Sequence, residues 1–235
     1  MTGVPPIMHV EHLQLTVTRK HWAFAVERRA EIDAFFAELQ RAKPSVWNGR
    51  VLLMHEHSIA NGILRGAYLE TDYASFSAWC AWGRPQAGVV DCFAAAAIIA
   101  ADDAVLVGVM APHTFNADWI YFPCGTPDLD DVVGTRVDLE RSVWRELKEE
   151  TGFEPAEFAI EPGWTCVDDG ALLAQIKVLR SRESAEALQA RARAHLRAER
   201  QPELSDLRIV RGREDFDAAM PGFVTAFLER HFGGG

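Results

Sequence analysis

The chain has 235 residues, 49% of them hydrophobic and 25% charged, with a formal net charge of −10. That length is enough to bury a good-sized core as one large domain or two small ones, and the composition is ordinary for a soluble globular protein. The acidic balance excludes a general binder of nucleic-acid backbone, since phosphates would approach only through bound metal or a local basic patch.

Val10 to Thr18 alternates, with Leu13, Leu15 and Val17 on one side and His12, Gln14 and Thr16 on the other, which predicts a strand. A helix is expected over about Ala23–Ala42, with Ile32, Phe35, Phe36 and Leu39 as its apolar stripe and Pro44 ending it. Trp47-Asn48-Gly49-Arg50 reads as a turn. It leads into a hairpin of Val51–Glu56 and Ile63–Glu70, joined across Asn61-Gly62. Asp72 is placed to cap a short helix through Phe76 and Trp79, and Gly83–Gly88 reads as a connection.

Strands are expected at Phe93–Ala101, Ala104–Met110 and Trp119–Pro123, and later at Phe158–Cys166 and Leu172–Arg180 around an Asp168-Asp169-Gly170 turn. Ser181 or Ser184 would cap a mostly exposed helix to about Arg200. A short strand at Leu207–Val210 and a helix from about Gly222 to His231, with Phe223, Phe227 and Leu228 inward, complete the chain before a Gly233–Gly235 tail expected to fray. Cys80, Cys92, Cys124 and Cys166 form no CxxC pair, so reduced thiols are expected rather than a zinc site. Met1–Pro6 lacks a basic leader region and no segment reads as a bilayer span. A cytoplasmic location with no membrane and no nucleic-acid partner is the expectation.

The most informative stretch is Arg145-Glu146-Leu147-Lys148-Glu149-Glu150-Thr151-Gly152-Phe153. Leu139, Val143 and Leu147 recur every four residues, which predicts a helix buried along that line, with Asp138 as its N-cap and Gly152 as its left-handed terminator. Glu146, Glu149 and Glu150 then share one turn at the negative end of the helix dipole. Such crowding is relieved by a cation, and an all-oxygen set suits a hard divalent ion. A solvated acidic helix face is the alternative reading.

That string resembles the second half of the Nudix box, Arg-Glu-aliphatic-x-Glu-Glu-x-Gly-hydrophobic, with Phe153 where an aliphatic residue is usual. In the first half, the places of the family's Gly and Glu hold Asp131 and Val137. Phe122-Pro123-Cys124-Gly125-Thr126-Pro127 and Gly134 lie nearby in an enlarged loop, and Asp131 or Asp138 stands as a substitute for the missing Glu. The resemblance covers roughly Phe93–His231 and implies an α+β fold: a Nudix-type mixed sheet between helices over residues 91–235, preceded by a smaller α+β segment over residues 1–90.

The resemblance also implies a metal-dependent hydrolase, using Mg²⁺ or Mn²⁺, that cleaves a nucleoside diphosphate linked to another group. Glu146, Glu149 and Glu150 would hold the metal, Arg145 would orient them by ion pairing, and Glu203 is the candidate for an additional carboxylate, with Asp168 and Asp169 as alternatives. His113, Asn116 and Tyr121 are candidates for substrate binding, as are Trp47, Asn48 and Arg50, although a core Trp47 and a solvated Arg50 are the preferred reading. Trp47-Asn48-Gly49-Arg50 followed by Tyr73 and Phe76 is similar to the Nudix branch acting on UDP-glucose and UDP-galactose. The expected partner is a nucleoside diphosphate derivative, and a homodimer is compatible with the sequence. Two further readings are a Nudix-like module that binds a nucleotide or protein without turnover, and a hydrolase of coenzyme A or dinucleoside polyphosphates.

Overall fold

The structure, a computed structural model, describes residues 5–233. The readings made for Met1–Pro6 and Gly233–Gly235 therefore fall largely outside the described residues. In chain order the elements are β1 (Ile7–Val10), β2 (His12–Val17), α1 (Ala23–Glu27), α2 (Arg29–Ala42), β3 (Arg50–Ala60), β4 (Ile63–Asp72) and α3 (Tyr73–Ala81). Strands β5 (Asp91–Ile99), β6 (Val105–Met110), β7 (Ile120–Tyr121), β8 (Cys124–Gly125), β9 (Val132–Val133) and β10 (Arg136–Val137) follow. Then come α4 (Leu139–Thr151), β11 (Ala159–Ile160), β12 (Trp164–Asp169), β13 (Leu172–Arg180), α5 (Ala185–Ala198), β14 (Leu204–Val210) and α6 (Gly222–Phe232).

Among the described residues these make an α+β fold of two mixed sheets and six α-helices. The larger sheet runs β1-β12-β13-β5-β6-β14, with β11 on β13, β8 on β5 and β7 on β6. Its β13–β5 pair is parallel, from Leu172 opposite Asp91 to Arg180 opposite Ile99. The smaller sheet runs β3-β4-β2-β10-β9, with β2 and β4 parallel. Sheet membership crosses residue 90 in both directions. The early β1 pairs with β12 in the larger sheet, and the loop strands β9 and β10 join β2 in the smaller one.

Strand β5 is buried throughout, and its run Ala94–Ala97 is why helices can pack closely over it. Helix α4 lies against β5 and β8, and α6 against β12. Phe122, fully buried, meets Phe223 and Phe227 of α6 edge-on, with ring centroids 6.4 and 5.2 Å away. The Asn61-Gly62 turn has both residues at positive φ, 52° and 71°, as a twisted two-residue hairpin demands. Asp72, Asp138 and Ser184 each accept a backbone N–H at the start of their helices.

Two elements differ from expectation. The single helix over Ala23–Ala42 breaks at Arg28, where ψ is 20°. Trp22 packs with Leu53 and Trp79, whereas Ile32 and Phe36 pack on Ala74 and Ala78, and one straight helix would not serve both clusters. The strand over Phe158–Cys166 is interrupted at Gly163, whose φ of 71° leaves the extended region and whose carbonyl accepts from Lys177 Nζ at 3.0 Å. Among the described residues no helix is long and apolar enough to cross a membrane.

Candidate functional site

A cleft of about 520 Å³ opens where the two sheets meet the C-terminal end of α4. Its walls come from both halves of the chain: Tyr73 and Phe76 of α3 on one side, the 111–119 loop and Glu203 on another, and Glu146 and Glu149 of α4 at one end. The local sequence dictates that end. Leu139, Val143 and Leu147 are buried against the sheet, and Gly152 at φ 73° terminates the helix as expected. Glu146 and Glu150 are thereby carried inward, 8% and 3% exposed, while the Glu149 side chain stays 60% exposed.

Arg145 gathers the carboxylates. It donates to Glu146 Oε1 at 2.8 Å, to Asp131 Oδ2 at 3.1 Å and to Glu149 Oε2 at 3.5 Å. Asp131 is 1% exposed and holds the enlarged loop to the helix, also accepting from the Asp128 backbone N–H at 3.2 Å. Asp138, the other proposed substitute for the missing Glu, only caps α4 and pairs with Arg136 at 2.7 Å.

Burial raises both Glu146 and Glu150. Arg145 opposes the shift at Glu146, whereas Glu146 and Glu203 reinforce that of Glu150. Glu150 Oε2 is buried with no hydrogen-bond partner. Glu203 keeps substantial solvent access, yet desolvation at the cleft wall first and Glu149 second raise its carboxyl too. Its carbonyl accepts from the Ala111 N–H at 2.8 Å, which ties it to the 111–119 loop.

Gly125 of β8 lies directly against Glu146, and a Cβ there would collide with the Glu146 carboxylate. Its φ is not in the left-handed region, so the glycine is needed for space alone. Gly125→Ala is expected to displace Glu146 and lower kcat by about 10²-fold, the order that a misplacement of about 1 Å costs. An unchanged thermal midpoint beside the activity loss would show that the effect is positional.

His113, Asn116 and Tyr121 all line the cleft. Asn116 Nδ2 donates to Tyr121 Oη at 3.3 Å, and Tyr121 is 7% exposed, so this pair is partly structural. Lys43 Nζ donates to the Thr114 carbonyl and fastens the loop to the end of α2. Asp168 and Asp169 do not line the cleft; Asp168 accepts from Gly170 N–H at 3.1 Å in its hairpin turn. The preferred reading of Trp47 as core is corrected, because its side chain is 74% exposed at the cleft mouth, in a turn that packs its ring over Gly49. Arg50 also lines the cleft and pairs with Glu70 at 2.6 Å. Asn48 Oδ1 accepts from Ala74 N–H at 2.8 Å and so shapes the start of α3. The four cysteines are free, and burial holds the Cys124 thiol well above its usual range.

Sequence reasoning missed Asp91 and Arg84, which line the same cleft. Asp91 opens β5 and is 5% exposed; burial pushes its carboxyl up to about 6, against the opposing effects of Arg84 and of Thr126, whose hydroxyl donates at 3.4 Å. An acid immediately before a wholly apolar strand was the available signal. Because the folded value lies above the unfolded one near 3.8, folding stabilises the protonated form. That stability is complete below about pH 4 and is lost as pH rises through about 6, an amount of about 3 kcal/mol. Asp91→Asn is expected to match the parent protein near pH 4 and to exceed it by up to that amount at pH 7. Paired urea titrations at the two pH values measure the difference, and equal stability at pH 7 would refute it.

A divalent cation can be tested against these residues. Among the described residues no group of three or more His, Cys, Asp or Glu side chains is arranged to hold a metal ion. The donor set that is in place is Glu146 with Glu150, two buried carboxylates, the first helping to raise the second, which has an unpartnered oxygen. Two carboxylates, with water and substrate phosphate completing the shell, are a common Mg²⁺ arrangement, so the residues fit the ion. Glu149 would join on leaving Arg145.

No family model matches the chain, and no curated protein matches it. Among solved structures it is similar to RenU, a Nudix hydrolase from M. smegmatis, at 14% identity and a TM-score of 0.38, over 59% of this chain and 80% of that one.

Proposed function

We propose that this chain is a metal-dependent hydrolase of the Nudix type, cleaving the diphosphate of a nucleoside diphosphate linked to another group. The observation that carries the reading is the burial of Glu146 at the end of the cleft, held by Arg145, with Glu150 buried behind it and one Glu150 oxygen unpartnered. Nothing in the fold pairs that oxygen, and leaving it buried costs stability that a bound cation would restore. A divalent ion there would neutralise phosphate oxygens and acidify a water.

The chain's own residues do the rest. Arg145 sets the orientation of Glu146 through their 2.8 Å bond, and Gly125 leaves the space in which that carboxylate sits. Glu203 faces the same cleft with a carboxyl raised by desolvation and by Glu149, and is the candidate to accept a proton from water. His113 and Asn116, cleft-lining residues on the loop fastened by Lys43, would bind substrate oxygens. The segment of residues 1–90 supplies one wall through Trp47, Tyr73 and Phe76; a nucleotide sugar is the finer substrate reading, resting on the order of these residues in the sequence.

One observation favours a second reading, a module that binds nucleotide without turnover: Arg145 already places a positive charge among the carboxylates. The experiment that separates the two is product release from UDP-sugars, ADP-ribose, NADH, coenzyme A and dinucleoside polyphosphates, first with Mg²⁺ and then with Mn²⁺. Metal-dependent turnover supports the hydrolase. Saturable nucleotide binding with no product over hours moves the assignment to the binding module.

A further inference from the structure

A second groove, of about 570 Å³, adjoins the cleft, and His113 and Gln201 line both. Ala111, Leu196 and Leu204 give it a buried apolar lining. Its charged lining is Arg193, Arg197, Arg200 and Asp206. In a chain of net charge −10, beside a cleft that holds Glu146, Glu149 and Glu203, a groove with three arginines and one carboxylate is of opposite sign.

Helix α5 builds one wall. Arg193, Leu196 and Arg197 stand at i, i+3 and i+4 and so share one face of the helix. Arg193 Nε and Nη2 donate to Asp206 Oδ1 and Oδ2 at 2.6 and 2.7 Å, which fixes α5 to β14 and satisfies the carboxylate of the groove. The other arginines of these two elements are also paired, Arg191 with Glu157 and Glu183, and Arg208 with Asp217. Arg197 and Arg200 are exposed, and among the described residues neither guanidinium has an ion-pair or hydrogen-bond partner. The negative end of the helix dipole favours a cation such as Arg197 in the last turn, but it does not call for Arg200 beyond the cap. The chain leaves the helix at Glu199, where ψ is 142°, and Arg200 still lines the same groove.

The side chains decide what chemistry fits. A guanidinium offers donors in a planar fork and no acceptor, so the pair selects an oxyanion. A carboxylate brings one charge and two oxygens. A phosphate monoester or phosphate ion brings close to two charges and three or more oxygens, enough to engage both arginines. Two like charges lining one groove also repel each other until an anion lies between them.

We infer that Arg197 and Arg200 form a phosphate-binding subsite beside the cleft. It takes a phosphate group carried by the molecule in the cleft, reaching across His113 and Gln201, or a free phosphate ion. The subsite involves neither metal nor the carboxylate helix and stands without the hydrolase reading; only a ligand that spans cleft and groove rests on it.

The test is calorimetric titration of the intact protein with inorganic phosphate, AMP and adenosine 3′,5′-bisphosphate, at low ionic strength to limit screening. A chelator replaces Mg²⁺, so that no metal at Glu146 and Glu150 can recruit the probes, and none of the probes carries an anhydride to cleave. At least one probe is expected to bind, about tenfold more weakly in Arg197→Gln and in Arg200→Gln, the order of one hydrogen bond to a charged group. Arg182→Gln, which removes an exposed arginine just before α5, should change that affinity little. Bisphosphate binding tighter than AMP, with the excess lost in Arg197→Gln, supports the subsite and assigns it to a phosphate carried by the ligand of the cleft. Inorganic phosphate binding without that excess supports it and assigns it to the free ion. Binding of no probe, an equal loss in Arg182→Gln and Arg197→Gln, or parental affinity in the Arg197→Gln, Arg200→Gln double variant with parental circular dichroism would each overturn the inference. Arginine-dependent phosphate binding by a protein that hydrolyses nothing when Mg²⁺ is supplied would sink the hydrolase reading alone, and metal-dependent turnover by a protein that binds no probe in chelator would sink this one alone.

Discussion

Glu150→Gln is expected to abolish diphosphate hydrolysis, lowering kcat by at least about 10²-fold, the scale on which removal of one group that stabilises transition-state charge is felt. The same variant should fold as well as the parent or better. Glu150 is 3% exposed, its Oε2 lacks a partner, and burial, Glu146 and Glu203 together disfavour its ionised form. Replacing it by a neutral isostere removes that penalty and keeps the volume. Loss of turnover combined with an unchanged or raised urea midpoint is therefore the signature of a functional carboxylate. Undiminished turnover in a Glu149→Gln, Glu150→Gln double variant would eliminate the proposed chemistry.

The largest stability loss is expected from Phe122→Ala, about 3–5 kcal/mol in urea unfolding. Phe122 is fully buried between β7 and β8 and contacts Phe223 and Phe227 of α6 edge-on. Truncation opens a cavity at the centre of that aromatic cluster, and loss of this size is a large part of the total stability of a domain. Phe223 also lines the cleft and meets Phe93 at a centroid distance of 5.3 Å. The variant should consequently raise KM as well, because a wall of the site loses its backing. Phe122→Leu, which keeps most of the volume, should lose less than half as much. A Phe122→Ala protein with the parental urea midpoint would contradict this account of the core.

Much of the local structure was legible because its causes are local. The α4 carboxylates follow from the Leu139–Val143–Leu147 spacing and from a glycine suited to ending the helix. The Asn61-Gly62 hairpin, the Asp72 and Asp138 caps and the inward face of α6 likewise depend on residues within one or two turns of each other. The break at Arg28 was not legible, since helical periodicity continues through it; only the separate clusters under Trp22 and Ile32 require it.

Asp131 shows the boundary between the two kinds of information. Its sequence position made it one of two candidates, and only the folded loop bonds it to Arg145 while leaving Asp138 as a cap. Trp47 reads as core from composition and lies exposed at the cleft mouth, because its surroundings are set by how the 43–49 turn meets the sheet. The sequence by itself determined the carboxylate helix, its caps and the hairpin, through backbone preferences and side-chain periodicity that act over a few residues. Tertiary structure alone decided the exchange of β1, β9 and β10 between sheets and the meeting of Arg84 with Asp91 in one cleft. Strand partners and buried polar neighbours are chosen by the packing of distant segments, and no local preference encodes that choice.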